Sequence, residues 1–264
     1  MFTAKQMEQY RSRGYLVVDD APPQLDRLIE AGRRVKAKVR AGTVDVFTHW
    51  AEPGEPWCIR GLLAPEFAEP VFAEHMVSDW ALGYSRAFIA EPFRLGWIDL
   101  RTNPHHEDFL GGWHRDLGVK PRETSDEQLM ALLRKPKVHT RWYVPLVPDS
   151  CLQIVPGSHL RPNTEEEQQI LADDPNGDIS EQQVIELKVG QVVFWDGNTV
   201  HRGVMRKDVE RLTLAGSWRE HRQGDPPEKI DGRFAWRLQD SVRAALPEAM
   251  LPYYDRWRDL QQLE

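Results

Sequence analysis

Residues 111–118 read Gly-Gly-Trp-His-Arg-Asp-Leu-Gly and carry the most informative short pattern in the chain. In an extended segment, side chains two positions apart point to the same face, so His114 and Asp116 can present an imidazole and a carboxylate to one point. A second histidine from another strand would complete a 2-His-1-carboxylate triad. That ligand set holds Fe(II) and leaves adjacent coordination positions open. His-x-Asp alone is common, so the pattern depends on finding that partner.

His201 is the best candidate partner. Residues 192–203 read Val-Val-Phe-Trp-Asp-Gly-Asn-Thr-Val-His-Arg-Gly, which predicts a strand, an Asp-Gly turn and a new strand that opens with the histidine. Arg211 follows ten residues later, just before the apolar run 212–218. A guanidinium beside a buried strand needs an anionic partner, and its fork binds a carboxylate in bidentate fashion. A dicarboxylate that chelates the metal at one end and meets Arg211 at the other would satisfy both groups.

The predicted secondary structure changes from mainly helical to mainly β at about residue 93. Before it, the spacing of apolar residues predicts helices over 3–13 and 22–39 and helical segments within 69–90, with an irregular stretch over 43–63. After it come short β-rich runs separated by turn residues, which favour a sandwich or barrel. We expect these strands at 93–100, 138–146, 151–155, 183–187, 191–194 and 211–218. Further predictions are a capped helix at 125–133, a polar surface excursion at 161–180 and a terminal helix within 247–264.

Composition limits the function classes. The 264 residues carry 34 basic and 41 acidic side chains, a net charge of -7, which argues against a general nucleic-acid binder. Two distant cysteines, Cys58 and Cys151, do not make a disulfide framework. The first residues lack the pattern of a signal peptide, and no membrane-spanning segment was identified. We therefore expect a cytoplasmic protein, monomeric or homodimeric, that binds neither nucleic acid nor membrane. Tryptophan is unusually frequent, with ten copies.

Taken in order, the motifs resemble those of the phytanoyl-CoA dioxygenase family of Fe(II)/2-oxoglutarate-dependent oxygenases. The matching residues are His114-Arg-Asp116, His201 and Arg211, together with the run from Cys151 to His159, Cys-Leu-Gln-Ile-Val-Pro-Gly-Ser-His. Residues 5–18, which lead into Gly-Tyr-Leu-Val-Val, are similar to the family's N-terminal helix and first strand. The likeness extends from about Thr3 to Trp218.

The resemblance implies a mainly β fold with flanking helices, a double-stranded β-helix (jelly roll, cupin-like) in one domain spanning 1–264. N-terminal helices would occupy about 1–92, the jelly-roll core about 93–220 and a helical tail about 230–264. It also implies Fe(II) bound by His114, Asp116 and His201, and 2-oxoglutarate anchored by Arg211. With O2, such a site forms a ferryl intermediate, releases succinate and CO2, and hydroxylates a small natural-product, amino-acid-derived or lipid-like molecule.

Two positions depart from the family pattern. Gly203 stands where many members carry a small hydroxyl residue, and Asp149-Ser150 replaces the usual Asn-Gly. Both changes concern secondary contacts to the co-substrate and leave the triad intact. Because the carboxylate Asp116 is retained, the resemblance favours hydroxylation over halogenation.

Other residues are candidates for lining the site. Asp99 and Arg101 alternate as polar side chains in an apolar strand, so we expect them to contact co-substrate or substrate. Trp142 is expected to wall the co-substrate pocket. Trp113 and Trp218 are candidate substrate contacts. Each of these tryptophans, like Trp142, could equally be an ordinary residue of the hydrophobic core. The segment 120–137 could be a lid or a surface decoration.

Three alternatives remain open from the sequence. His114 and Asp116 could form a surface ion pair, His201 could be a satisfied core histidine, and Arg211 could pair with Glu210, Asp208 or Glu220 at the surface. A jelly-roll protein that binds metal and 2-oxoglutarate as a non-catalytic sensor would use the same residues. A zinc hydrolase would also use three ligands, but that chemistry gives no reason for Arg211.

Overall fold

The computed structural model describes residues 2–44, 57–120 and 122–263. Eight α-helices and twelve strands make up its regular structure among these residues. The helices are α1 Ala4–Arg13, α2 Leu25–Arg40, α3 Val71–Met76, α4 Asp79–Ser85, α5 Asp126–Leu133, α6 Glu165–Asp173, α7 Asp240–Ala245 and α8 Leu251–Arg258. Most of the irregular stretch expected over 43–63 lies outside the described residues.

The strands are short and predominantly antiparallel. They are β1 Tyr15–Val18, β2 Cys58–Ile59, β3 Phe93–Thr102, β4 Phe109–Leu110, β5 Trp142–Pro145, β6 Leu152–Ile154, β7 Gln183–Val184, β8 Val192–Trp195, β9 His201–Met205, β10 Leu212–Glu220, β11 Glu228–Ile230 and β12 Gln261–Leu263. The six-stranded sheet has the order β1-β8-β5-β10-β3-β2, and the four-stranded sheet has the order β4-β9-β6-β7. Only β11 and β12 pair in parallel within the described chain.

An apolar cluster packs the two larger sheets against each other. Leu152 and Ile154 of the four-stranded sheet belong to the same buried cluster as Val193 and Trp195 of the six-stranded sheet. Two antiparallel sheets joined through such a layer form a jelly roll. The predicted mainly β fold with flanking helices is therefore confirmed.

Helices cover the opposite face of the six-stranded sheet. The buried stripe of α2 includes Leu28, Ala31 and Val35, and it joins one large core with Leu100 and Leu214 of the sheet. Burying this stripe removes apolar surface from water, at about 25 cal/mol per Å2, which is the main force that holds the helix to the sheet. The helical layer leaves the inner face of the sheet free to form a cavity.

Strand periodicity decides which side chains reach that cavity. Ile98 and Leu100 of β3 face the helices and are fully buried, so the alternate residues Trp97, Asp99 and Arg101 face inward. The same alternation places polar and aromatic side chains from neighbouring strands around one space between the sheets.

The C-terminal end of the chain differs from the helical tail expected from the sequence. The terminal helix predicted within 247–264 is confined to α8, and the chain then extends into β12, which pairs with β11. The predicted polar excursion at 161–180 contains α6, which begins with a capping box formed by Thr164 and Glu167. The capped helix predicted at 125–133 is confirmed as α5, with Ser125 as its N-cap.

Candidate active site

Backbone pairing brings the two histidines together. The N–H of His114 donates to the carbonyl of His201 at 3.0 Å, and the N–H of His201 donates back to the carbonyl of His114 at 3.0 Å. The His201 end is set by the Asp-Gly turn, in which the Asp196 carboxylate accepts a hydrogen bond from the N–H of Asn198. As expected from the sequence, His201 opens a new strand after this turn.

A close approach of backbones positions the carboxylate. The N–H of Asp116 donates to the carbonyl of Gly197 at 2.8 Å. A Cβ atom at Gly197 would lie 2.7 Å from Oδ2 of Asp116 and 2.7 Å from Nη1 of Arg141, so a larger residue here would displace the ends of these side chains. The glycine of the Asp-Gly turn therefore serves the carboxylate as well as the chain reversal.

The three side chains converge through their outer atoms. The Nε2 atom of His114 lies 3.5 Å from Oδ1 of Asp116, and the Nε2 atom of His201 lies 3.7 Å from Oδ2. The imidazole centroids are 4.3 Å apart. One potential ligand atom from each residue falls within 4.8 Å of the others, and no other group of three or more such side chains occurs among residues 2–44, 57–120 and 122–263.

Hydrogen bonds select the tautomer of both histidines. Nδ1 of His114 lies 2.8 Å from the carbonyl of Gly112, and Nδ1 of His201 lies 2.9 Å from the carbonyl of Thr199. A carbonyl oxygen only accepts, so Nδ1 carries the proton and the Nε2 lone pair points at the shared space. Burial, with the neighbouring His114 ring, lowers the pKa of His201 well below its ordinary 6.5, which keeps that ring neutral. Two imidazoles that present Nε2 to one point, together with a carboxylate, fit Fe(II).

Arg211 lines the same cavity as these three side chains, and its guanidinium is paired with a buried carboxylate. Its Nε donates to Oδ2 of Asp149 at 3.0 Å, and both side chains are almost completely buried. Asp149 also accepts hydrogen bonds from the Thr213 hydroxyl and from the N–H of Cys151. Arg211 therefore forms a buried ion pair with Asp149, and not a surface pair with Glu210, Asp208 or Glu220. Burial raises the pKa of Asp149, but Arg211 and these hydrogen bonds outweigh it and hold the pKa below 3.8.

The cavity has a volume of about 490 Å3 and takes residues from both larger sheets. Asp99 and Arg101 line it, as expected from their alternation on β3. Sequence reasoning did not assign Arg141 or Tyr143 to the site, yet both line the cavity, and Arg141 donates to the carboxylate of Asp116. The available signal was Arg141 itself, which is the one arginine or lysine in the predicted strand 138–146.

Three tryptophans lie away from the cavity, which corrects their predicted roles. Trp142 is 1% exposed and faces the helical layer, because the inward positions of its strand are the odd-numbered neighbours. Trp218 is fully buried in the same layer, where its indole N–H donates to the carbonyl of Met76. Trp113 packs in a separate small core and donates to the carbonyl of Gly177. All three are therefore core residues, although the indole N–H of Trp142 has no hydrogen-bond partner among the described residues.

The remaining sequence motif also has a structural place. The Ser158 hydroxyl, within the Pro-Gly-Ser-His turn, accepts from the N–H of Val200 at 2.8 Å. The turn thus supports the segment that leads directly into His201, which connects this motif to the geometry of the site.

A family model described as phytanoyl-CoA dioxygenase matches residues 10–204, which is well over half of the chain and includes all three converging side chains. The chain belongs to the phytanoyl-CoA dioxygenase family. As a member, it is an Fe(II)/2-oxoglutarate-dependent oxygenase. A search of curated proteins finds no match.

Solved structures similar to this family member share its fold. AviO1 from Streptomyces viridochromogenes Tue57 is 20% identical with a TM-score of 0.58, over 86% of this chain and 99% of that one. EctD from S. alaskensis, solved with 2-oxoglutarate and 5-hydroxyectoine, is 18% identical with a TM-score of 0.59, over 83% and 76%. HygX from Streptomyces hygroscopicus, solved with nickel, 2-oxoglutarate and hygromycin B, is 18% identical with a TM-score of 0.54, over 87% and 92%.

Proposed function

We propose that this dioxygenase hydroxylates a small organic molecule, with Fe(II) held by His114, Asp116 and His201 and 2-oxoglutarate held by Arg211. The observation that carries the proposal is the convergence of two Nε2 lone pairs and one carboxylate in the cavity that also contains a buried guanidinium. A metal-binding site alone would not require that guanidinium. The small-molecule substrate class is supported by the 5-hydroxyectoine and hygromycin B named with EctD and HygX.

Iron with bound 2-oxoglutarate supplies the oxidising chemistry, in which O2 is consumed and succinate and CO2 are released. The protein's own contribution is positioning. The carbonyls of Gly112 and Thr199 fix the imidazole orientations, and the backbone bridge between the two histidines fixes their separation. Asp149 holds Nε of Arg211, which leaves its two terminal nitrogens to bind the far carboxylate of the co-substrate as a fork.

The decisive experiment replaces His114 or Asp116 by Ala. Both side chains are partly exposed, so we expect the variants to fold normally and to lose Fe(II) binding and succinate release. His106→Ala and Asp208→Ala serve as matched controls, because both residues are exposed and outside the triad. Undiminished succinate release in both triad variants would overturn the ligand assignment. Retained binding of metal and 2-oxoglutarate with no succinate from the unmodified protein, for any candidate substrate, would support a sensor instead.

The cellular setting belongs to the same proposal. Cys58 and Cys151 are both buried free thiols, which suits the reducing cytoplasm. No helix in the described parts of the chain is long and apolar enough to cross a membrane. We propose a monomer or homodimer acting on a small molecule, without nucleic acid.

A further inference from the structure

Five arginines line the active-site cavity, and three of them have assigned partners there. Arg202 is tied to Asp178 and to the carbonyls of Asn176 and Gly177. Arg211 is held by Asp149, and Arg141 contacts the carboxylate of Asp116. These contacts account for the cations nearest to the metal ligands and the co-substrate anchor.

The other two arginines share a single carboxylate. Arg60 Nε lies 3.4 Å and Arg101 Nη2 lies 3.3 Å from the same oxygen, Oδ2 of Asp99, which is 1% exposed. The Nε atoms of Arg60 and Arg101 are buried and make no hydrogen bond within the described structure. A third guanidinium, that of Arg237, is also close enough to interact with Asp99.

Asp99 is the one carboxylate that pairs with Arg60 and Arg101 within residues 2–44, 57–120 and 122–263, and it cannot neutralise this group of guanidinium ions. Burying a charge without a counter-charge is costly, so a cluster of this kind is stabilised by an additional anion. Bound 2-oxoglutarate does not remove the excess, because its two negative charges and that of Asp116 match the charges of Fe(II) and Arg141, while Asp149 balances Arg211. The positive charge at Arg60 and Arg101 is thus left for the substrate.

Aromatic rings complete this end of the cavity. Trp57 and Phe109 stack with their centroids 4.6 Å apart and an interplanar angle of 26°. Both rings line the cavity together with Trp97, and the Arg101 guanidinium lies 5.8 Å from the Trp57 centroid. A flat or apolar molecular body would pack against these rings while a charged group meets the arginines.

Building on the proposed function, we propose that the substrate is an organic anion. Its carboxylate or phosphate group binds Arg60 and Arg101, and its apolar body lies against Trp57 and Phe109. This arrangement would leave the opposite part of the molecule directed toward the triad, where oxidation takes place. The two arginines then select the substrate by charge, in the same cavity in which Arg211 selects the co-substrate.

The test measures binding without turnover. The protein is loaded with Fe(II) and 2-oxoglutarate under anaerobic conditions and titrated with 4-phenylbutyrate, its neutral amide 4-phenylbutanamide and the cation 4-phenylbutylamine. Phenylpropyl phosphate distinguishes a phosphate from a carboxylate preference. We expect the better anion to bind about 10-fold or more tightly than the amide, the effect of one charge-assisted hydrogen-bonded contact.

Matched variants locate the effect. Arg60→Met should abolish the preference for the anion while the affinity for 2-oxoglutarate stays within about twofold, and Arg60→Lys should restore part of the preference. Arg86→Met is the control, since it removes one exposed arginine that pairs with Glu91 away from the cavity. Circular dichroism of each variant confirms folding before titration.

Three results of the titration would overturn the inference. These are binding of the amide or the amine as tightly as both anions, no binding of any probe, and displacement of 2-oxoglutarate by either anion. The inference also fails if Arg60→Met leaves the preference unchanged. Failure of the proposed function is separate, since that would appear as lost binding of Fe(II) or 2-oxoglutarate or as absent succinate release, while the anion preference persists.

Discussion

The buried pair between Asp149 and Arg211 can be tested by replacing Asp149 with Asn. The substitution keeps the shape and one acceptor oxygen but removes the charge opposite a guanidinium that is 5% exposed. Breaking a buried ion pair by removing one partner costs about 3–5 kcal/mol, because the remaining charge is left uncompensated. The carboxylate receives two hydrogen bonds at Oδ2 and one at Oδ1, so the retained oxygen can still accept one or two of the three, and we expect a loss of about 3 kcal/mol.

That loss converts into a measurable shift of the unfolding temperature. For 264 residues, an unfolding entropy of about 2.1 cal/mol/K per residue gives about 0.55 kcal/mol/K, so Asp149→Asn should lower Tm by about 5 °C. Differential scanning calorimetry at neutral pH measures it. Asp240→Asn is the control, because its carboxylate is 92% exposed in a pair with Arg258 and should cost less than about 1 kcal/mol.

The pH dependence has a definite sign. The pKa of Asp149 is lower in the folded protein than its ordinary 3.8, so the pair stabilises the fold above 3.8 and this contribution is lost as the pH falls toward the lower folded value. The stability difference between the unmodified protein and Asp149→Asn should therefore be constant near neutrality and shrink below about pH 4.

The same variant separates two views of the co-substrate site. If Asp149 orients Arg211, its neutralisation should weaken 2-oxoglutarate binding by about 10-fold, as expected when one charge-assisted contact is lost. If Asp149 instead competes for the guanidinium, binding should become tighter. Tighter binding, or a Tm within 1 °C of the unmodified protein, would refute the reasoning.

Three further predictions use calorimetry or urea titration. Gly216→Ala should destabilise the protein by about 1–3 kcal/mol, because the new Cβ would overlap the buried Trp142 ring. In the control Gly83→Ala the new Cβ meets nothing within 4 Å, so that variant should be neutral or stabilised, and equal effects of the two substitutions would contradict the prediction. Thr164→Ala should cost about 1 kcal/mol through the lost N-cap of α6, and a loss below about 0.3 would exclude that role. Ni(II) at 100 times its Kd should stabilise the folded protein by about 2.7 kcal/mol, which raises Tm by about 5 °C. Asp116→Ala should remove this rise in Tm, and an equal rise in that variant would place the metal elsewhere.

The sequence predicted the parts of this molecule that depend on local spacing. His114 and Asp116 were recognisable from a two-residue period, and His201 from a turn followed by a strand. Strand positions were also close, since alternation and turn residues are local properties. Capping residues gave the start of α5 correctly for the same reason.

What the sequence did not predict depends on which face of a strand looks inward. Trp142 and Tyr143 are neighbours with similar apolar character, and only the packing of the helical layer decides that the tryptophan faces outward. The partner of Arg211 was missed because Asp149 lies 62 residues away and is brought near by sheet pairing. Long-range pairing of this kind leaves no periodic signal in one sequence.

The division of the site between the two sheets has a mechanical consequence. His201 belongs to β9 of the four-stranded sheet, while Arg211 immediately precedes β10 of the six-stranded sheet. If the three ligand side chains and Arg211 hold opposite ends of 2-oxoglutarate as proposed, the co-substrate would bridge the two sheets. Its binding should then stabilise the packing of one sheet on the other as well as fill the cavity.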